Sequence, residues 1–307
     1  MNVIEFSQVS KIYRKGFLAK KIPAVIDLSF AVRQGSITGF VGPNGAGKTT
    51  SIKIIMGLVR PTEGVVRLSG LDPRDPASRA DCTFLPEQPY FYQHLTVGES
   101  LAFAARLFGI RGGNMARDIK QTLETLGLGG LEKRKIKELS KGMQQRLAMA
   151  QALLMGSNVL ILDEPMSGMD PPGRNLFRDI FHSLAAHGKT IFFSTHILDD
   201  IEALCSDVVV LSKGRLDYQG PIDTLLRKGF QGHDLVAARL PDTLKEELRR
   251  MGCIIEPTGA TGDLIFVPSG SDLVQCQRRL QEHGLFCESL TKRTISLEDA
   301  LYKKQSG

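Results

Sequence analysis

The chain has 307 residues, 42% hydrophobic and 23% charged, which is ordinary for a folded domain in water and leaves room for one large domain or a large and a small one. No apolar run approaches the roughly 20 residues that a helix needs to cross a bilayer, the opening MNVIEFSQVS lacks a basic-then-apolar leader pattern, and Cys82, Cys205, Cys253, Cys276 and Cys287 have neither the spacing of a disulfide frame nor that of a zinc site. The formal charge of +6 suits an anionic ligand or a membrane-facing surface, though solubility alone explains it, so the chain is expected to stay in the cytosol and any membrane role would come through another protein.

In chain order, the basic stretch KIYRKGFLAKK reads as a solvated hairpin or loop. SITGFVG, SNVLILDEP, KTIFFSTH and DVVVLSKG are near-continuous apolar runs, the pattern of strands covered on both faces. Between the first of these and the second, about 90–150, VGESLAFAARLFGI and MARDIKQTLETLGL show helical spacing of Leu, Phe and Ile. Residues 1–220 are therefore expected to form an α/β domain with a mainly parallel sheet and a helical insert. A linker is expected over 221–231. Beyond it the order strand (Asp234–Ala238), helix (Pro241–Met251), strand (Cys253–Glu256), strand (Asp263–Val267), helix (Asp272–His283), strand (Phe286–Ser289) predicts a small α+β domain of ferredoxin-like order over 232–307.

The first chemistry-bearing motif is GPNGAGKT, which matches G-x-x-x-x-G-K-[ST], a phosphate-binding P-loop. Its context fits: an apolar strand precedes it, and a helix follows with Ile52, Ile55, Met56 and Val59 on one face. The glycines let successive backbone N–H groups turn toward one point, and the helix start adds positive potential there. A triphosphate is the expected occupant, cradled by Gly42, Pro43, Asn44, Gly45, Ala46, Gly47 and Thr50, with Lys48 on the β- and γ-phosphates and Thr49 on Mg²⁺. In NVLILDEP, Asp163 and Glu164 sit at the end of a buried strand, costly unless a cation or water uses them. Asp163 is expected to hold Mg²⁺, directly or through water, and Glu164 to polarise the attacking water as general base.

LSKGMQQRLAMAQALL is by itself a capped amphipathic helix, with Ser140 as cap and Leu147, Ala150 and Leu154 as its apolar stripe. Placed behind a helical insert and ahead of Asp163, it resembles the signature of ATP-binding cassette (ABC) ATPases, departing from LSGGQ at Lys141 and Met143 while keeping Ser140 and Gly142. Other marks of that family fall in order. The resemblance implies that Tyr13 stacks on adenine, that Gln88 in LPEQPYFY reaches Mg²⁺ and the attacking water, that SGMD (Ser167 to Asp170) is the D-loop, and that His196 touches the γ-phosphate. An N-K-x-D guanine reader is not evident, which argues against a GTPase.

The resemblance further implies a head-to-tail dimer in which each ATP lies between the P-loop of one cassette and Ser140 and Gly142 of the other. One cradle leaves a side of the γ-phosphate facing water, and a second helix N-terminus offered by the partner copy would cover it. The partners implied are a second cassette and integral membrane permease subunits, placing the protein at the cytoplasmic face of the membrane, with no nucleic acid expected. PYFYQHLTVGES, with Tyr90, Phe91, Tyr92 and His94, is either the permease contact or local packing. The tail TISLEDALYKK resembles that of exporter-type cassettes, and the last domain could stabilise a dimer, bind a regulator or sense a ligand. The alternative function is an ABC ATPase acting on nucleic acid or the ribosome; the long coiled-coil insertion or second cassette usual there is not seen.

Overall fold

The apolar runs read from the sequence become the centre of a six-stranded sheet. The computed structural model describes residues 1–15, 20–110, 114–228, 230–258 and 262–294, and the chain divides into two units, Met1–Ile222 and Asp223–Gly307.

The first unit begins with a long hairpin, β1 (Asn2–Lys15) and β2 (Lys20–Arg33), the form taken by the described part of the basic stretch. Then follow β3 (Ile37–Val41), α1 (Lys48–Ile55), β4 (Glu63–Leu68) and β5 (Cys82–Leu85). The helical insert holds α2 (Val97–Leu107), α3 (Met115–Thr125) and α4 (Lys141–Leu154). Next come β6 (Val159–Leu162), α5 (Pro171–Ala186), β7 (Thr190–Thr195), α6 (Leu198–Leu204), β8 (Asp207–Ser212) and β9 (Arg215–Pro221). The large sheet has order β5-β6-β7-β3-β8-β9, parallel except for β9. Every residue of β3, β6 and β7 is buried, which is why these strands lack alternation. A smaller antiparallel sheet, β2-β1-β4, packs on it through Phe30, whose ring lies 5.6 Å from Phe40 and 6.1 Å from Phe192.

Caps set the helix starts. At α2, Thr96 Oγ1 accepts from the Glu99 N–H at 3.2 Å and Glu99 accepts from the Thr96 N–H at 2.8 Å, a reciprocal capping box. Ser140 caps α4 and Asp170 caps α5. Asp200 on α6 is fully buried and binds two α5 arginines, Arg174 Nη2 at 2.6 Å and Arg178 Nη2 at 2.7 Å.

α7 (Ile222–Lys228) begins at the last residue of the first unit and runs into the second, which continues with β10 (Phe230–Ala238), α8 (Asp242–Arg250), β11 (Ile254–Thr258), β12 (Gly262–Pro268), α9 (Leu273–Glu282) and β13 (Cys287–Thr294). The stretch read as a linker over 221–231 thus carries a helix and the start of a strand; Ile222 and Leu225, one helical step apart, are both buried. The sheet β11-β12-β10-β13 is antiparallel throughout, the ferredoxin-like arrangement, and a core including Leu235, Ile265, Leu244, Leu248 and Leu280 joins it to α8 and α9. At one corner the buried Asp263 accepts from the Leu240 N–H at 2.8 Å and meets Arg239 and Lys245, each at 3.1 Å.

All five cysteines are free thiols, and burial pushes the Cys82 thiol up to about 12. From position 295 onward the tail TISLEDALYKK lies outside the described residues. Among the described residues no helix is long and apolar enough to cross a membrane.

Candidate functional site

The carboxyl-end rim of the large sheet gathers most of the expected residues. β3 ends at Val41 and the chain turns through Gly42–Gly47 into α1. Two of its glycines are sterically required. A Cβ on Gly42 would lie 2.6 Å from the Leu211 carbonyl oxygen; at Gly47, φ is +104° and a Cβ would lie 2.5 Å from the Ala24 carbonyl oxygen. The loop is therefore wedged between the end of β8 and β2.

Lys48, the first residue of α1, is buried at 7% exposure. Its Nζ donates to the Gly42 carbonyl at 2.5 Å and lies 3.6 Å from Glu164 Oε1. A cation buried at the positive end of a helix is unfavourable unless anions share the space, and Glu164 is one. Glu164 itself has φ +48°, the left-handed region rare for a side-chain-bearing residue. Its two carboxylate oxygens lie 3.1 and 3.0 Å from His196 Nδ1. Asp163, 2% exposed, accepts from Ser194 Oγ at 2.6 Å, and the same oxygen accepts from the Glu164 N–H at 2.9 Å.

Over the loop lies a cavity of about 420 Å³. Pro43, Asn44, Gly45, Ala46, Gly47, Lys48, Thr49 and Thr50 line it, with Ile22, Pro23 and Ala24 of β2 on one side and Glu87, Glu164, Ser167 and His196 on the other. Asp163 lies behind this wall, linked to it through Ser194. Tyr13 is half-exposed and pairs with Ile22 across the hairpin, so it shares a face with a lining residue.

Other expected residues are not brought to the cavity. Gln88 is exposed and does not line it, whereas its neighbour Glu87 does. The resemblance selects a glutamine by residue type; the position that faces the loop is one earlier. Ser140, Gly142 and Asp170 lie elsewhere on the same chain. Ser140 Oγ accepts from the Met143 N–H at 3.3 Å, and Asp170 accepts from the Gly173 N–H at 3.2 Å with Arg146 3.7 Å away. A Cβ on Gly142 would meet nothing within 4 Å, so the backbone there is open to approach. Sequence reasoning missed Glu87 and Ser194. For Ser194 a weak signal existed: a hydroxyl following the apolar run Ile191–Phe193 within a fully buried strand, next to Thr195.

A strand–glycine loop–helix cradle with a carboxylate pair at the end of a parallel strand in the same sheet defines a P-loop nucleotide-binding protein. The family model described as "ABC transporter" matches residues 25–167. YxlF of Bacillus subtilis, an ABC transporter ATP-binding protein, is 35% identical over 91% of this chain and 94% of its own length. Nod factor export ATP-binding protein I of Paraburkholderia xenovorans is 34% identical over 86% of this chain and 84% of that protein. A solved structure described as an ATP-binding subunit of an ABC transporter superposes with a TM-score of 0.65 at 31% identity, over 74% of this chain and 92% of that one. The chain belongs to the ABC transporter ATP-binding proteins, the ATPase family whose cassette fold its first unit adopts.

Proposed function

We propose that the protein binds ATP in the cavity over Gly42–Thr50, hydrolyses it with Glu164 as general base, and energises a membrane exporter as one member of a head-to-tail pair. The observation that carries this reading is the placement of Glu164, held at the cavity wall between Lys48 at 3.6 Å and His196 at 3.0 Å. A carboxylate there can accept the proton of a water attacking the terminal phosphate, while Lys48 offsets the developing charge and His196 holds the base and the phosphate together.

The donor set also fits Mg²⁺. Thr49 faces the cavity, and Asp163 has one carboxylate oxygen engaged by Ser194 and a second to offer. Both are hard oxygen donors, the type this ion prefers. Among the described residues no group of three His, Cys, Asp or Glu is gathered as a metal cage, so remaining ligands would come from phosphate and water. The ion would supply charge neutralisation.

Ser140, Gly142 and Asp170 support the pairing. They are exposed or openly approached and lie outside their own chain's cavity, as expected of groups that serve a second copy's nucleotide. For the membrane subunits, Tyr90 (88% exposed), Tyr92 and Phe103 form a cluster of exposed rings, with His94 6.0 Å from Tyr92. Such a patch suits gripping a partner. Phe91 takes no part, being buried at 4% exposure. The export direction is supported by the exporter named among the relatives, and a permease-bound ATPase of this kind would sit at the cytoplasmic face.

Glu164→Gln tests the reading. It is expected to keep ATP binding, lower turnover by about 10²- to 10⁴-fold, and trap an ATP-dependent pair visible by size-exclusion chromatography. Unchanged turnover would remove Glu164 from the role of base.

A further inference from the structure

β6 and β7 pair in parallel as far as Leu162 and Phe193, and there the ladder stops. Asp163 sends its N–H the other way, to the Leu85 carbonyl of β5 at 2.8 Å. The Glu164 N–H, next to face β7, is taken by a side chain, Ser194 Oγ. That hydroxyl is fully buried, and its single proton goes to Asp163 Oδ1 at 2.6 Å. A hydroxyl that must donate to a carboxylate and accept from an amide has one usable orientation, so the two bonds fix each other. They fix two further things: which Asp163 oxygen is engaged and which is left, and the left-handed turn at Glu164 that brings its carboxylate round to Lys48 and His196.

We propose that Ser194 is a positioning residue for hydrolysis: through one hydroxyl it orients the Asp163 carboxylate toward the phosphate-bound cation and pins the Glu164 backbone that aims the base. This rests on the ATPase reading above. Ser194 is fully buried and is not among the residues that line the cavity. Its removal should therefore leave the grip of the phosphate loop intact and disturb the response to metal and the chemical step.

The test uses the full chain with Ser194→Ala, Ser194→Thr, and Glu164→Gln as control. Affinity for a fluorescent ATP analogue is titrated in EDTA and again against Mg²⁺, and steady-state hydrolysis is measured beside it. For Ser194→Ala the EDTA affinity is expected within about twofold of the parent, the Mg²⁺ midpoint of nucleotide binding raised severalfold, and kcat lowered by about 10- to 100-fold, the loss of a hydrogen bond to a charged group. Ser194→Thr keeps the hydroxyl and should recover most of both. The proposal is overturned if Ser194→Ala leaves midpoint and kcat within about twofold of the parent, or if Ser194→Thr falls as far as Ser194→Ala, which would trace the effect to packing. Should Ser194→Ala fail to fold, Ser194→Cys, of similar shape but a weak donor, is read against the same criteria. Parent turnover no higher than that of Glu164→Gln would instead sink the ATPase reading, and the Mg²⁺ midpoint would still decide the role of Ser194.

Discussion

Lys48 shares its ammonium between the Gly42 carbonyl at 2.5 Å and, more loosely, the Pro43 carbonyl at 3.5 Å and Glu164 at 3.6 Å. Those oxygens hold the cation where a nucleotide's phosphates would lie, so much of the entropic cost of ordering a long side chain is met before any phosphate arrives. Lys48→Ala is expected to weaken ATP binding by about 10- to 100-fold, measured by equilibrium titration; unaltered affinity would exclude the phosphate contact. Lys48, Glu164 and His196 could be found in the sequence because each sits at a fixed offset from a strand end, and strand ends in a parallel sheet share one rim. Gln88 and Glu87 lie beyond that logic. They are adjacent in an irregular loop, both exposed, with no periodicity to say which lines the cavity; Glu87 does.

Among the elements, α2, α4 and α5 start at side-chain caps, Thr96, Ser140 and Asp170, and all three are capping residue types placed before a helical pattern. Leu147 and Ala150 are fully buried as the stripe on α4 requires, whereas Leu154, at the end of the helix, is only half-buried. The strands of the second unit were legible as short apolar runs, as in β12 with its Leu-Ile-Phe-Val, but not their faces: Asp263, Ile265 and Val267 point inward although the sequence does not alternate in polarity. The 221–231 segment was not legible: three apolar residues over seven, in IDTLLRK, are too short a pattern to separate a helix from a linker. Asp263, a carboxylate at a strand start, is buried and braced by three donors. Burial opposes its ionisation, but the Leu240 amide, Lys245 and Arg239 outweigh that and hold its carboxyl below the usual carboxylate range. A depressed folded-state pKa gives stability that is complete above the unfolded value, about 4, and is lost as pH falls through the folded value. Asp263→Asn should therefore destabilise the β10–β12 sheet by about 1–3 kcal/mol at pH 7, and the gap should narrow as pH falls below about 4. Hydrogen-exchange protection of β10 and β12 amides in the full chain reads this; a gap independent of pH would contradict it.

At the scale of the whole molecule, the first unit carries the phosphate loop in its cavity and, away from that cavity, Ser140 with Gly142 at the exposed start of α4; in the proposed function these would be the two halves of a nucleotide clamp. Ser140→Arg, which fills the approach without touching the cavity, is expected to leave nucleotide affinity of the single chain within about threefold while abolishing turnover. Surviving turnover would mean that one copy completes the reaction alone. The folding pattern of both units could be read from strand and helix order, whereas pairing between copies was implied by the family resemblance alone, because a surface that meets another chain leaves no periodic trace in its own. One feature links these surfaces within the chain. Asp170 begins α5, His196 stands just ahead of α6, and Asp200 rivets the two helices together through Arg174 and Arg178. The helix that Asp170 caps and the helix that follows His196 are thus tied by one buried carboxylate, and in the proposed pair a displacement of Asp170 by the second copy would be carried toward the histidine beside the base.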